Sequence, residues 1–331
     1  MAAYEIETCL RYIFLASDVQ SPSSRPRLVW WMLTVRFVAS GWHYISPSRS
    51  LSRESLFSAD EGFLLVNQLE LEYLPMIKSV RNPKVLELRA LQRLPKRRRE
   101  KVAFVVEGAR LAEEALMSGW AVRAAFYTES AREANPDLVR AIAARGNADL
   151  VSEAVMKAAS DTKTPQGILV EVEWRKLPLV KQPSMVLVLD GIGDPGNLGT
   201  LLRSAAAADC DAVLLAPGCA DAFSPKVLRS GMGAHFRQPI QNLEWPEISL
   251  FVKEHKLALY VAESWEGQSY GEVDLTQPFA LILGSEATGV SEAAKVLNPR
   301  PIQIPMPGRM ESLNAAIAGS ILLFEAVRQR G

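Results

Sequence analysis

Met185-Val-Leu-Val-Leu-Asp-Gly-Ile-Gly-Asp-Pro-Gly-Asn-Leu-Gly-Thr-Leu-Leu-Arg203 is the stretch that decides the fold. Five apolar residues run unbroken to Asp190, a glycine-rich turn follows, and Leu198, Leu201, Leu202 and Ala205 then recur at helical spacing. A continuous apolar strand feeding a helix is the signature of a parallel sheet covered on both faces. The alternation continues downstream, predicting strands over 212–216, 257–262, 279–284 and 302–304 and helices over 198–208, near 225–229 and over 312–328. Upstream, strands over 102–106, 122–127 and 167–172 alternate with helices over 109–117 and 136–144. Asn82-Pro83 opens a further helix with Val85, Leu88, Leu91 and Leu94 on one face. The class is α/β, in two units: 76–176 and 184–331, joined by a 177–183 linker carrying Pro178 and Pro183.

Residues 1–75 differ from the rest, with no lysine, 11 serines and three of the seven tryptophans. Glu5 and Glu7 stand where a signal or transit peptide carries positive charge, and Arg36 and His43 interrupt the most apolar stretch, 28–45. The expectation is a poorly ordered extension of doubtful standing, with Met76 as the true start and no membrane span. Three cysteines and three histidines are scattered too widely for a disulfide framework or a zinc motif. Metal-free chemistry in a reducing, cytoplasmic compartment follows as the default.

The formal net charge is zero, from 37 basic and 37 acidic residues, which at first argues against a nucleic-acid partner. The zero is a cancellation. Residues 78–110 hold 11 basic and three acidic side chains, whereas 111–331 hold 20 and 26. Lys96, Arg97, Arg98 and Arg99 stand in succession beside the amphipathic helix, and this run is the candidate phosphate-contacting surface. Read otherwise, it is an ordinary solvated face.

Gly191, Gly193 and Gly196 form a literal G-x-G-x-x-G between strand and helix, the fingerprint of a dinucleotide-binding dehydrogenase. The turn chemistry disfavours that reading: Asp194 would set a carboxylate beside a pyrophosphate, and Pro195 removes an N–H that should cradle it. Three other segments place polar residues where α/β sheets seat ligands, at the carboxyl ends of strands. In the first, Asn197 can cap the following helix, and Arg203 would be costly to bury without an anionic or carbonyl partner. In the second, Gly284 leaves room for a flat ligand and Glu286 supplies one carboxylate. The third runs through Ile304, Pro305, Met306, Pro307 and Gly308 to Ser312-Leu313-Asn314, where prolines leave carbonyls outside regular pairing. Leu313, Ile317, Ile321, Phe324 and Val327 then share a helical face, read as core or subunit contact.

Asn197-x-Gly199-x-x-x-Arg203, Gly284-x-Glu286-x-x-Gly289 and Ile304-Pro-Met306-x-Gly308 leading to Ser312-Leu313-Asn314 resemble the three motifs of the SpoU (TrmH-type) RNA ribose methyltransferases, in order and spacing. The preceding block, with Arg81-Asn-Pro-Lys84, Val106-Glu-Gly-Ala-Arg-Leu111 and Thr164-Pro-Gln-Gly167, resembles the RNA-binding domain of many members. The resemblance implies S-adenosylmethionine-dependent methylation of a ribose 2′-hydroxyl, a trefoil-knotted carboxyl-terminal unit and a homodimer. It also implies cofactor contacts from Gly284, Ile304, Met306 and Leu313, and a catalytic surround of Asn197, Arg203, Glu286, Ser312 and Asn314. Where members often carry a small hydroxyl residue after the last of these, this chain has Ala315-Ala316. Ribosomal RNA is the expected substrate, with transfer RNA or a noncatalytic RNA-binding role as alternatives.

Overall fold

A computed structural model describes residues 76–145, 147–308 and 311–331; the expectations for 1–75 lie outside the described residues. The first unit is built on four strands, β1 (Ala103–Glu107), β2 (Val122–Tyr127), β3 (Ala148–Leu150) and β4 (Ile168–Glu173), in the order β1-β4-β2-β3. β4 runs antiparallel to both neighbours, and β2 and β3 are parallel. Helix α1 (Pro83–Arg93) is capped by Asn82, whose side chain accepts from the Lys84 N–H, and it buries Val85, Leu88 and Leu91 against one sheet face. Leu94 does not continue that face: it separates α1 from α2 (Pro95–Lys101) and is exposed. Helices α3 (Ala109–Met117), α4 (Glu129–Ala134), α5 (Pro136–Ala143) and α6 (Glu153–Ala159) complete the unit.

No helix or strand lies between Glu173 and Met185. The second unit holds seven parallel strands: β5 (Met185–Asp190), β6 (Ala212–Leu215), β7 (Ile240–Asn242), β8 (Ala258–Glu263), β9 (Gln268–Ser269), β10 (Phe279–Gly284) and β11 (Arg300–Gln303). Their order is β7-β6-β5-β10-β8-β11-β9. Helices α7 (Pro195–Ala207), α8 (Pro225–Gly231), α9 (Trp245–Glu254), α10 (Glu292–Lys295) and α11 (Ala315–Arg330) surround the sheet. Residues of β5 alternate between its faces: Val186 and Val188 meet Ile248 and Ile282, while Leu187 and Leu189 meet Leu201, Leu202, Leu322 and Leu323. Burial on both faces explains the unbroken apolar strands.

Helix boundaries depart from the sequence pattern where a side chain caps. Asp194, not Asn197, is the cap of α7: its carboxylate accepts from the Asn197 N–H at 2.9 Å, and Pro195 opens the first turn. Asn314 caps α11 by accepting from Ala316 and Ile317, so Ser312 and Leu313 stay outside the helix. The core side of α11 is Ala315, Ala316, Gly319, Leu322, Leu323 and Ala326. Ile317 and Phe324 are instead about half exposed, which removes the core reading of their face. Gly319 permits close contact, since a Cβ there would enter the side chains of Leu283 and Leu201.

Candidate active site

Three loops at the carboxyl ends of β5, β10 and β11 meet. Beyond β5, the turn at 191–193 leads into α7, which presents Asn197. Beyond β10, Ser285 and Gly289 exchange backbone hydrogen bonds and close a small loop around Glu286. Gly284 is required by that loop: a Cβ would collide with the Gly289–Val290 backbone. The space at Gly284 is therefore used first by the protein's own chain. Beyond β11, pairing with β8 ends at Gln303, and residues 304–308 and 311–314 belong to no helix or strand.

Glu286 joins the three. Its Oε1 accepts from Asn197 Nδ2 at 2.9 Å, from Asn314 Nδ2 at 2.5 Å and from the Ala315 N–H at 3.0 Å. Asn314 Nδ2 also donates to Asn197 Oδ1 at 3.1 Å. The carboxylate thus lies at the N-terminus of the 16-residue α11, where the helix dipole favours negative charge. Asp190, buried at the end of β5, accepts from the Ser291 N–H at 2.6 Å and locks the β10 loop to the β5 end. The Asn197 N–H and then Lys226, 3.2 Å away, hold the Asp194 carboxyl below the usual range.

Two cavities flank this junction. One, of about 240 Å³, is lined by Gly284, Ile304, Met306, Ser312 and Leu313 among others. Backbone released from pairing, a thioether and apolar side chains make this lining suitable for a flat adenosyl group with few polar anchors. The second, of about the same volume, is lined by Gly191, Ile192, Gly193, Asp194, Asn197 and Ala287. Ser285, Glu286 and Ala315 border both, so the cavities share one wall. The motifs supplied Asn197 and Glu286 on the wall of the second cavity but did not announce it as a separate site; its 191–193 turn is the segment that mimics a dinucleotide fingerprint.

The structure brings together Asn197, Glu286 and Asn314 beside Ser312, Gly284, Ile304, Met306 and Leu313. Arg203 does not join them. Its side chain, one of the exposed residues of α7, makes no hydrogen bond or ion pair among the described residues. The cost of burying it unpaired is avoided, because the apolar face of α7 is carried by Leu198, Leu201, Leu202 and Ala205 and Arg203 lies off that face.

The four consecutive cations also separate. Lys96 and Arg99 are exposed, whereas Arg97 lies against Glu87 at 2.7 Å and Glu100 at 3.5 Å. Arg98 is not an RNA contact: its side chain is 4% exposed and pairs with Asp221 of the second unit at 2.6 Å. Four successive helical residues span most of a turn, so they cannot share one face.

Comparison with known proteins places these features. The profile of the SpoU rRNA Methylase family matches residues 184–324, and that of the MRM3-like substrate binding domain matches 82–170. The chain is 35% identical over 250 residues to the Bacillus subtilis 23S rRNA (guanosine(2553)-2′-O)-methyltransferase RlmP, an alignment covering 75% of this chain and 97% of that relative. Among solved structures, the AdoMet-bound rRNA methyltransferase from Sinorhizobium meliloti aligns with a TM-score of 0.68 at 30% identity, covering 77% of this chain and 97% of that one. The SpoU methyltransferase AviRb from Streptomyces viridochromogenes, in complex with AdoMet, aligns with a TM-score of 0.69 at 28% identity, over 76% and 98%.

Proposed function

The chain belongs to the SpoU rRNA methylase family and is an S-adenosylmethionine-dependent rRNA ribose 2′-O-methyltransferase with an α/β trefoil-knot domain, and from that premise we propose how its residues divide the reaction. Bound S-adenosylmethionine supplies a methyl group activated as a sulfonium. The first cavity takes the cofactor, with Gly284, Ile304 and Leu313 offering backbone groups, Met306 beside the base and Ser312 a hydroxyl. The second takes the acceptor nucleotide, an arrangement favoured by in-line displacement, which needs donor and acceptor on opposite sides of the transferred group. Glu286 holds Asn197 and Asn314 between them. Both amide hydrogens of Asn314 are engaged, whereas Asn197 keeps one N–H for the ribose oxygen.

Guanidinium keeps its proton in proteins, so Arg203 serves as a fixed charge for phosphate or developing alkoxide while water removes the proton. Its exposure, with Ile317 and Phe324 uncovered on the neighbouring α11, supports a homodimer in which Arg203 completes the partner's site. Among the described residues no helix is long and apolar enough to cross a membrane. A reaction on ribosomal RNA is carried out where that RNA is held, which favours a cytoplasmic location.

The observation that carries this reading is the single Glu286 oxygen joining three motifs between two cavities. Its test is methylation of unmodified ribosomal RNA transcripts with labelled S-adenosylmethionine, followed by alkaline hydrolysis. Label in alkali-resistant dinucleotides is expected. Label in mononucleotides would place the methyl group on a base and overturn the reading, and binding of RNA without any transfer would favour a noncatalytic role.

A further inference from the structure

Arg98 is the one member of the basic run turned inward, and its contacts cross from one unit to the other. Nη2 and Nε donate to Asp221 Oδ2 at 2.6 and 3.1 Å. Nη1 donates to the Leu91 and Gln92 carbonyls at 2.6 and 2.8 Å, tying in the end of α1. A guanidinium buried this fully, with its donors directed at four bonds, holds one geometry.

The loop that receives it, 217–224, lies directly behind the second cavity. The Ala220 N–H donates to the Ile192 carbonyl at 2.9 Å, and Gly218 backs so closely on Gly191 that a Cβ would come within 3.2 Å of its Cα. Ile192 is buried and lines that cavity. On the other side, Phe223 packs at a tilt against Phe104 and Trp174, with ring centroids 5.0 and 4.7 Å away, and the Phe223 N–H donates to Asp221 Oδ1 at 2.9 Å. The path from α2 to the cavity wall is short and made of fixed contacts.

We propose that Arg98 is a positioning residue for methyl transfer: by tying α2, with its exposed Lys96 and Arg99, to the loop that braces the 191–193 turn, it sets where the target nucleotide of an RNA gripped by the first unit meets the second cavity. This rests on the second cavity being the acceptor side. A small displacement of reacting groups suffices to lower turnover strongly without weakening binding. The small unit is therefore part of the geometry of the reaction as well as a grip on RNA.

The test compares full-length wild type, Arg98→Met, Arg98→Lys and Arg229→Met on an unmodified ribosomal RNA transcript. Arg229 pairs with Asp161 across the same interface at 2.7 Å but lies on α8, outside the 217–224 loop, so it reports generic loosening of the two units. Steady-state kcat and KM for RNA are measured with S-adenosylmethionine affinity by calorimetry. Arg98→Met is expected to lower kcat at least about tenfold, with KM for RNA changed less than about threefold and cofactor affinity retained. Arg98→Lys should restore part of kcat, because charge is kept while the fork is removed; it also serves if the Met variant does not fold. Unchanged kcat, or an equal fall in Arg229→Met, would overturn the proposal. Wild type that binds the cofactor but methylates no RNA would instead overturn the functional reading, and this proposal with it.

Discussion

The loops at the ends of the parallel sheet and the run of cations on α2 use polar residues in opposite ways. Asn197, Glu286 and Asn314 are separated by 89, 28 and 117 positions pairwise, yet converge on one carboxylate oxygen. Lys96 to Arg99 are adjacent in sequence and diverge: two face solvent, one pairs with acids of its own unit, and one is buried against the other unit. Parallel strands all end on the same edge, so loops remote in sequence become neighbours. A helix turns its residues apart at every step. Convergence marks the proposed site of the chemistry, and divergence marks where a charged run holds structure.

The comparison is broken most severely at the point of convergence. Glu286→Ala removes the acceptor of three donors and leaves Asn197 tied only to Asn314; kcat should fall about 10²-fold or more in a methyl-transfer assay. Because Arg203 is assigned to the partner's site, mixing inactive Arg203→Ala and Glu286→Ala subunits should restore about a quarter of wild-type activity through heterodimers. No recovery on mixing would place both residues in one subunit's site.

The interface between units should show its own acid sensitivity. His235 is fully buried, its Nε2–H donates to the Ala222 carbonyl at 2.7 Å, and burial pushes its pKa down to about 4, with Asp221 acting in the opposite direction. The unfolded chain takes up that proton near pH 6.5, so the contribution is complete above pH 6.5 and is lost as pH falls toward 4. Denaturant unfolding should register about 3 kcal/mol over that window, and His235→Gln should flatten it.

On the site side, Gly284→Ala forces a Cβ into the Gly289–Val290 backbone. A stability loss of about 1–3 kcal/mol is expected, together with weakened S-adenosylmethionine binding by calorimetry. The smallest effect belongs to Lys96→Ala with Arg99→Ala. RNA affinity should weaken a few-fold and the salt dependence should flatten by about one unit of slope for each phosphate no longer neutralised, with cofactor affinity unchanged.

The apolar runs made the strands of the second unit legible, because burial on both faces leaves few other readings for Met185–Asp190 or Phe279–Gly284. Short elements such as β7, β9 and α10 carry too few residues to display a period. Helix α9 does carry a local signal, in Pro246 in the first turn and a reciprocal Glu244–Glu247 capping box, although its apolar pattern alone does not announce it. The cap of α7 is legible in the same way, as Asp194 before Pro195, with Asn197 a competing candidate three residues on. The three motifs pointed to the candidate site because turn and cap residues fix backbone geometry locally. The inward turn of Arg98 was hidden because it depends on Asp221, 123 positions away. The second cavity was hidden for the same reason, since it forms only when the β5 and β10 loops meet.

The measurement that tests the central claim most directly is the pH dependence of kcat for Glu286→Gln under saturating S-adenosylmethionine and RNA. A carboxylate that organises the junction without taking the proton predicts a lowered kcat whose pH profile keeps the wild-type shape. Loss of an ionisation from that profile, with the remaining rate independent of pH, would show Glu286 to be the base and contradict the account.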